Sequence, residues 1–112
     1  MINVVIVVYD RISMFHLSVP TAIFNDAALN SEKLFDVKIC AEQKGQLSFA
    51  NGLSFIVEED FSIIQHADIV IFPSWEPEIR PSTRLINLIT NLSRNNKMIV
   101  GLCLGAYALG YS

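Results

Sequence analysis

Three stretches of this chain, INVVIVV at residues 2–8, ADIVIFP at 67–73 and KMIVGLC at 97–103, are nearly unbroken apolar runs of strand length. A strand with one face in water alternates apolar and polar residues, whereas a strand apolar at almost every position is buried on both faces, as in the middle of a parallel sheet. Three such runs within 112 residues commit the chain to one parallel sheet and the segments that cover it. The composition agrees: 52% of the residues are hydrophobic and the mean hydropathy is +0.42, above an ordinary domain of this size.

The intervening segments supply the cover. SVPTAIFNDAAL, residues 18–29, reads as a helix with Val19, Ala22, Ile23, Ala27 and Phe24 on its buried face and Pro20 in its first turn, where proline is tolerated. LFDVKICA, residues 34–41, alternates as a strand. QLSFANGLSFIVEED follows, and its Asn51-Gly52 pair between alternating stretches is a hairpin signal. PSTRLINLITNLSRNN places Leu85, Leu88, Ile89 and Leu92 at helical spacing behind Pro81 and Ser82. LGAYALGYS begins one more helix. The expected architecture is therefore α/β, an open parallel sheet with helices on both faces and a β-hairpin, without repeats or linkers. A final strand followed by only about two helical turns is covered on one side, so residues 1–112 are expected to be the N-terminal portion of a larger domain, incomplete at its C-terminus.

Several function classes are disfavoured. No stretch approaches the roughly 18 uncharged apolar residues of a membrane span, and MINVVIVVYD has neither the basic flank nor the cleavage site of a signal peptide. With two cysteines read as thiols, the expectation is a cytoplasmic chain without a membrane partner. The net charge is −3, and the eight Lys and Arg residues are scattered from Arg11 to Lys97, so DNA would be reached only through a module outside this chain. Neither phosphate-binding glycine loop occurs, no cluster has metal-ligand spacing, and no cofactor is expected.

The candidate chemistry lies in IVGLCLGAYALG. Cys103 stands between Gly101 and Gly105 where a buried strand runs into a helix, a crowded turn that needs small neighbours. A thiol there would sit at the carboxyl edge of the sheet and at a helix start, where N–H groups favour its thiolate and could hold a developing oxyanion. Cys40 has neither glycine neighbours nor such a transition and reads as core. Asp10, at the end of the first strand, and Trp75, after Pro73, are further candidates for the same sheet edge, along with Gly101 and Leu104 beside the cysteine. Tyr107 and Tyr111 read as packing residues, and His66 as surface.

Taken together, IVVYDRISMFHLSVPTAIF, IVIFPSW and MIVGLCLGAYALG resemble the ThiJ/PfpI family of the class I glutamine amidotransferase-like fold, over the whole chain. The resemblance implies a flavodoxin-like sandwich, usually a homodimer, with Cys103 at the family's elbow cysteine. The spacing of Phe15 to Phe24 and the Pro73-Ser74-Trp75 stretch look most like the amino-terminal domains of AraC-type transcriptional regulators, which carry a helix-turn-helix module after an effector-sensing, dimerising domain. One departure stands out. Four residues before Pro20, where the family usually has Glu or Asp, this chain has His16. His16 could pair with a Cys103 thiolate, or serve only as a polar residue near the helix start.

Two functions follow from these residues. One is a sensor domain whose pocket at Cys103 takes a small-molecule effector. The other is an enzyme in which Cys103 attacks a small carbonyl or C–N substrate with His16 as acid or base, in hydrolysis, hydration or glyoxalase-type chemistry.

Overall fold

In the computed structural model, the described residues are 1–29, 32–102 and 105–110, with the side chains of 28, 29 and 107 excepted. The elements run β1 (Ile2–Val7), α1 (Met14–Asp26), β2 (Ala28–Leu29), β3 (Glu32–Lys33), β4 (Phe35–Ala41), β5 (Gly45–Ser48), β6 (Ser54–Val57) and β7 (Glu59–Asp60). A 3-10 helix (Phe61–His66), β8 (Ile69–Phe72), α2 (Thr83–Arg94), β9 (Met98–Gly101) and α3 (Ala106–Gly110) complete the order.

The three apolar runs became neighbours. The main sheet has the order β7-β4-β1-β8-β9 with every pairing parallel, and Val4, Val5 and Ile6 of β1 stand opposite Ile69, Val70 and Ile71 of β8. Because side chains alternate across a strand, β1 feeds two cores. Val5 and Val7 pack with Leu85, Ile89 and Leu92 of α2 and with Phe61 and Ile64 of the 3-10 helix. Val4, Ile6 and Val8 pack on the opposite face with Leu17 of α1 and Val57 of β6. Helices thus cover both faces, as expected, and the open edge of the sheet is finished by short strands.

Helix α2 forms where its spacing placed it. Ser82 caps it, its Oγ accepting the Leu85 N–H at 3.2 Å, and the leucine and isoleucine stripe faces the sheet. Two expectations for the first helix are corrected. It starts at Met14 rather than near Ser18, so Pro20 is its seventh residue and has no N–H for the His16 carbonyl, while the Thr21 hydroxyl donates to the Leu17 carbonyl at 2.7 Å. The buried face is also different: Leu17 and Pro20 are buried, while Val19, Ala22 and Ile23 point outward, Ile23 at 60% exposure. Phe24 is the member of the expected face that does pack inward, edge-on to Phe35 at 5.0 Å. The helix also ends sooner, and Ala28 and Leu29, expected in its last turn, form β2 instead and pair antiparallel with β3.

The hairpin forms around Asn51-Gly52, with Gly52 at φ 92°, a left-handed value that glycine adopts without strain. It is a separate two-stranded sheet, Gly45 opposite Val57 and Ser48 opposite Ser54. Among the described residues no helix is long and apolar enough to cross a membrane.

Candidate functional site

The carboxyl ends of β1, β4 and β8 open into a cleft of about 500 Å³. In an open parallel sheet this edge is where crossing connections diverge and leave space for a ligand. Each wall can be traced to a local cause.

The first wall is the turn after β1. Arg11 adopts φ 73°, a left-handed conformation costly for a residue with a side chain, and the fold holds it there by hydrogen bonds. The Arg11 N–H donates to the Ser48 carbonyl at 2.6 Å, and the Asp10 carboxylate accepts the Ser48 N–H at 2.9 Å. Asp10 therefore fastens the hairpin to the sheet edge and at the same time lines the cleft.

The second wall follows β4. Glu42 accepts a hydrogen bond from the Ser82 hydroxyl at 3.3 Å, linking the end of β4 to the residue that caps α2. The third wall follows β8, where Pro73, Ser74 and Trp75 are all buried. The Tyr9 hydroxyl donates to Ser74 Oγ at 3.3 Å. Trp75 meets Tyr9 edge-on at 5.5 Å and Phe72 at 6.0 Å, and its indole N–H donates to the Ile79 carbonyl at 2.8 Å. The indole is thereby fixed in two directions, and apolar surface from Leu47, Phe61 and Leu85 completes the cavity. Such a space accommodates a small organic molecule bearing one or two polar groups.

The candidate residues divide into two sets. Asp10 and Trp75 line the cleft. Gly101 ends β9 and leads into the strand-to-helix turn before α3, whose crowding the described neighbours make explicit. The Leu102 N–H donates to the Phe72 carbonyl at 2.9 Å, and the Gly105 N–H to the Leu102 carbonyl at 2.6 Å. A Cβ on Gly105 would stand 2.0 Å from the Phe72 carbonyl oxygen, and one on Gly101 would stand 2.8 Å from the Ala106 backbone. Glycine is required at both places for lack of room. Cys103 and Leu104 lie outside the described residues.

His16 is the third residue of α1, half-buried, edge-on to Phe15 at 5.7 Å. Its Nδ1 is buried and has no hydrogen-bond partner among the described residues, which sets it apart from a solvated surface histidine. Cys40, by contrast, is core as its sequence context indicated. It is fully buried, and burial, reinforced by the Asp60 and Glu59 carboxylates, pushes its thiol up to about 12.

The cleft residues that sequence reasoning missed include Tyr9, Glu42 and the second role of Ser82. A serine before a helix announces a cap, but a bond to a carboxylate 40 residues away carries no local signal. No cluster of His, Cys, Asp or Glu among the described residues could hold a metal ion.

No protein-family model matches this sequence, and no curated protein matches it either. Solved structures do match the fold. An AraC family transcriptional regulator from Pseudomonas putida superposes on all of this chain with a TM-score of 0.83 at 16% identity, the match covering 71% of that protein's chain. A two-domain protein from Anabaena variabilis with DJ-1/ThiJ/PfpI-like and ferritin-like domains matches 97% of the chain with a TM-score of 0.79, also at 16% identity, over 31% of its own length. A ThiJ/PfpI domain protein from Brachyspira murdochii matches 97% with a TM-score of 0.75 at 16% identity, over 62% of its length. The chain thus has the fold of the DJ-1 and ThiJ/PfpI proteins, and it spans less than two thirds of the latter two structures.

Proposed function

We propose that this chain is the effector-sensing and dimerising part of an AraC-type transcriptional regulator, the N-terminal portion of a larger domain whose DNA-binding module lies outside these residues. The observation that carries this reading is the cleft: about 500 Å³, largely apolar, with Tyr9, Asp10, Glu42 and Trp75 arranged to hold a small effector. The fold likeness to a regulator over the whole length of the chain supports it.

Dimerisation is supported by α1. An ordinary surface helix is apolar on one side, but α1 buries Leu17 and Pro20 while turning Phe15, Val19 and Ile23 outward, Phe15 at 71% exposure. The stripe itself carries no charged residue, so two copies related by a two-fold axis would bring no like charges together across it. A second copy of this chain is the partner that such a surface fits.

The test has two arms. Sedimentation should show a dimer for the native chain and a folded monomer for Ile23→Lys. The fluorescence of Trp75, the chain's single tryptophan, should respond to a member of a panel of amino acids, amines and small carboxylates, with the response kept and no turnover in either native protein or Cys103→Ala. A monomeric native chain, or turnover lost in Cys103→Ala, overturns the reading.

The Nδ1 of His16, buried and without a hydrogen-bond partner among the described residues, and the tight glycines on either side of Cys103 favour a second reading, a cysteine enzyme in which Cys103 is the nucleophile and His16 its acid or base. A Cys103 alkylation rate with an ordinary thiol pH profile, unchanged in His16→Ala, would remove it.

A further inference from the structure

We propose that the β5–β6 hairpin is a strap that carries the state of the cleft to the outward face of α1, with Asp10 as its clasp. The proposal rests on the reading of this chain as a sensing and dimerising domain, and supplies the link between the two activities.

The hairpin is a semi-independent body. Its ladder is four residue pairs long and forms its own sheet, apart from the five-stranded one. A lone two-stranded hairpin is marginal in water, so its position depends on what it is fastened to. Part of that attachment is packing, since Val57 is buried and Phe49 and Phe55 stack at 4.2 Å against the α1-side core. The polar attachments converge on one short segment. Ser48 bonds the Asp10 carboxylate and the Arg11 N–H, and the Ala50 N–H donates to the Ile12 carbonyl at 3.0 Å. Residues 10–12 are also the lead into α1, which begins at Met14.

The hairpin therefore touches both places that the function must connect. Leu47, beside the clasp, lines the cleft. At the tip, Asn51 Nδ2 lies 4.0 Å from the Met14 sulfur, in the first turn of the helix that bears the outward stripe. A ligand shifts a conformational equilibrium only through contacts that differ between the two states. A donor group placed on the Asp10 carboxylate from the cleft has that property, because it draws on the oxygen that holds Ser48. With the clasp loosened, the left-handed turn at Arg11 is free to relax toward a commoner conformation, and the start of α1 moves with it.

Hydrogen exchange of the whole chain, read by mass spectrometry alongside sedimentation, tests this. Asp10→Ala should speed exchange about 5-fold in β5 and in the first turns of α1, and weaken the dimer by a similar factor, as expected for one lost hydrogen bond. Asp10→Asn keeps an acceptor oxygen for the Ser48 N–H and should match the native chain in the exchange of β5 and α1 and in dimer strength, whatever it does to effector binding. Asp10 is exposed, so the core persists in both variants, which circular dichroism verifies. Faster exchange confined to the hairpin, with α1 and the dimer unchanged, overturns the strap; an Asp10→Asn as damaging as Asp10→Ala overturns the clasp. If the native chain sediments as a monomer, the dimer reading falls, and the strap is decided by α1 exchange alone: spread into α1 upholds it and confinement overturns it.

Discussion

The indole N–H of Trp75 donates to the carbonyl oxygen of Ile79 at 2.8 Å, four residues onward, so the side chain that forms one wall of the cleft also ties down the loop that follows it. Trp75→Phe keeps an aromatic ring against Tyr9 and Phe72 but loses this bond. A destabilisation of about 1 kcal/mol is expected, together with increased protease sensitivity at residues 76–79. Denaturation followed by circular dichroism measures the first effect, since the variant has no tryptophan left to report by fluorescence.

Gly105 and Gly110 make opposite predictions at the two ends of α3. Alanine at Gly105 would drive its Cβ into the Phe72 carbonyl, a backbone obstacle that no rotamer change can clear, so a loss of about 2 kcal/mol or more is expected. Alanine at Gly110 meets nothing within 4 Å among the described residues and should be neutral or stabilising by about 0.5 kcal/mol. Paired thermal melts distinguish them.

Cys40 gives the chain an alkaline limit. Its thiol is raised from 9.0 to about 12, chiefly by burial, so above pH 9 the unfolded chain releases a proton that the folded chain retains. Stability should fall as pH climbs from 9.0 toward about 12, and the slope should diminish in Cys40→Ala. Iodoacetamide mapped by mass spectrometry should modify Cys40 only once the chain is unfolded.

Asp68 gives it an acidic one. The carboxylate accepts the Asn3 N–H at 2.9 Å and pairs with Lys97 at 3.1 Å, joining the starting ends of β1 and β9, and these contacts hold its pKa below the ordinary 3.8. A depressed carboxylate stabilises the fold above pH 3.8 and loses that contribution as the pH falls through its folded value. Asp68→Asn should be less stable at neutral pH and less sensitive to acid. Urea titrations at pH 7 and pH 3 check both.

The parts of this fold that were legible in the sequence are those whose burial leaves an unambiguous pattern. Central parallel strands such as β1 and β8 have no polar face to encode, and α2 has a single apolar stripe with a serine cap. Helix α1 was misread for the complementary reason. With apolar residues all around, its pattern has no direction, and Val19, Ala22 and Ile23 were as plausible a buried face as Leu17 and Pro20. The crowding at Gly101 and Gly105 could be inferred because only glycine suits a strand that turns sharply into a helix. The cleft could not be, because its contacts join Tyr9 to Ser74 and Glu42 to Ser82, 65 and 40 residues apart. A strand of two residues such as β7 is too short to carry any periodicity at all.

The central seat of β1 also sets a schedule. Its two neighbours are β4, ending at Ala41, and β8, ending at Phe72, so β1 cannot be flanked on both sides until Phe72 has been added to the growing chain. Pairings at that sequence distance close late, because the loop entropy must be overcome before any contact rewards it. During synthesis the INVVIVV segment is thus a sticky, half-paired edge, and chaperones that shield nascent apolar segments should be needed most in that interval.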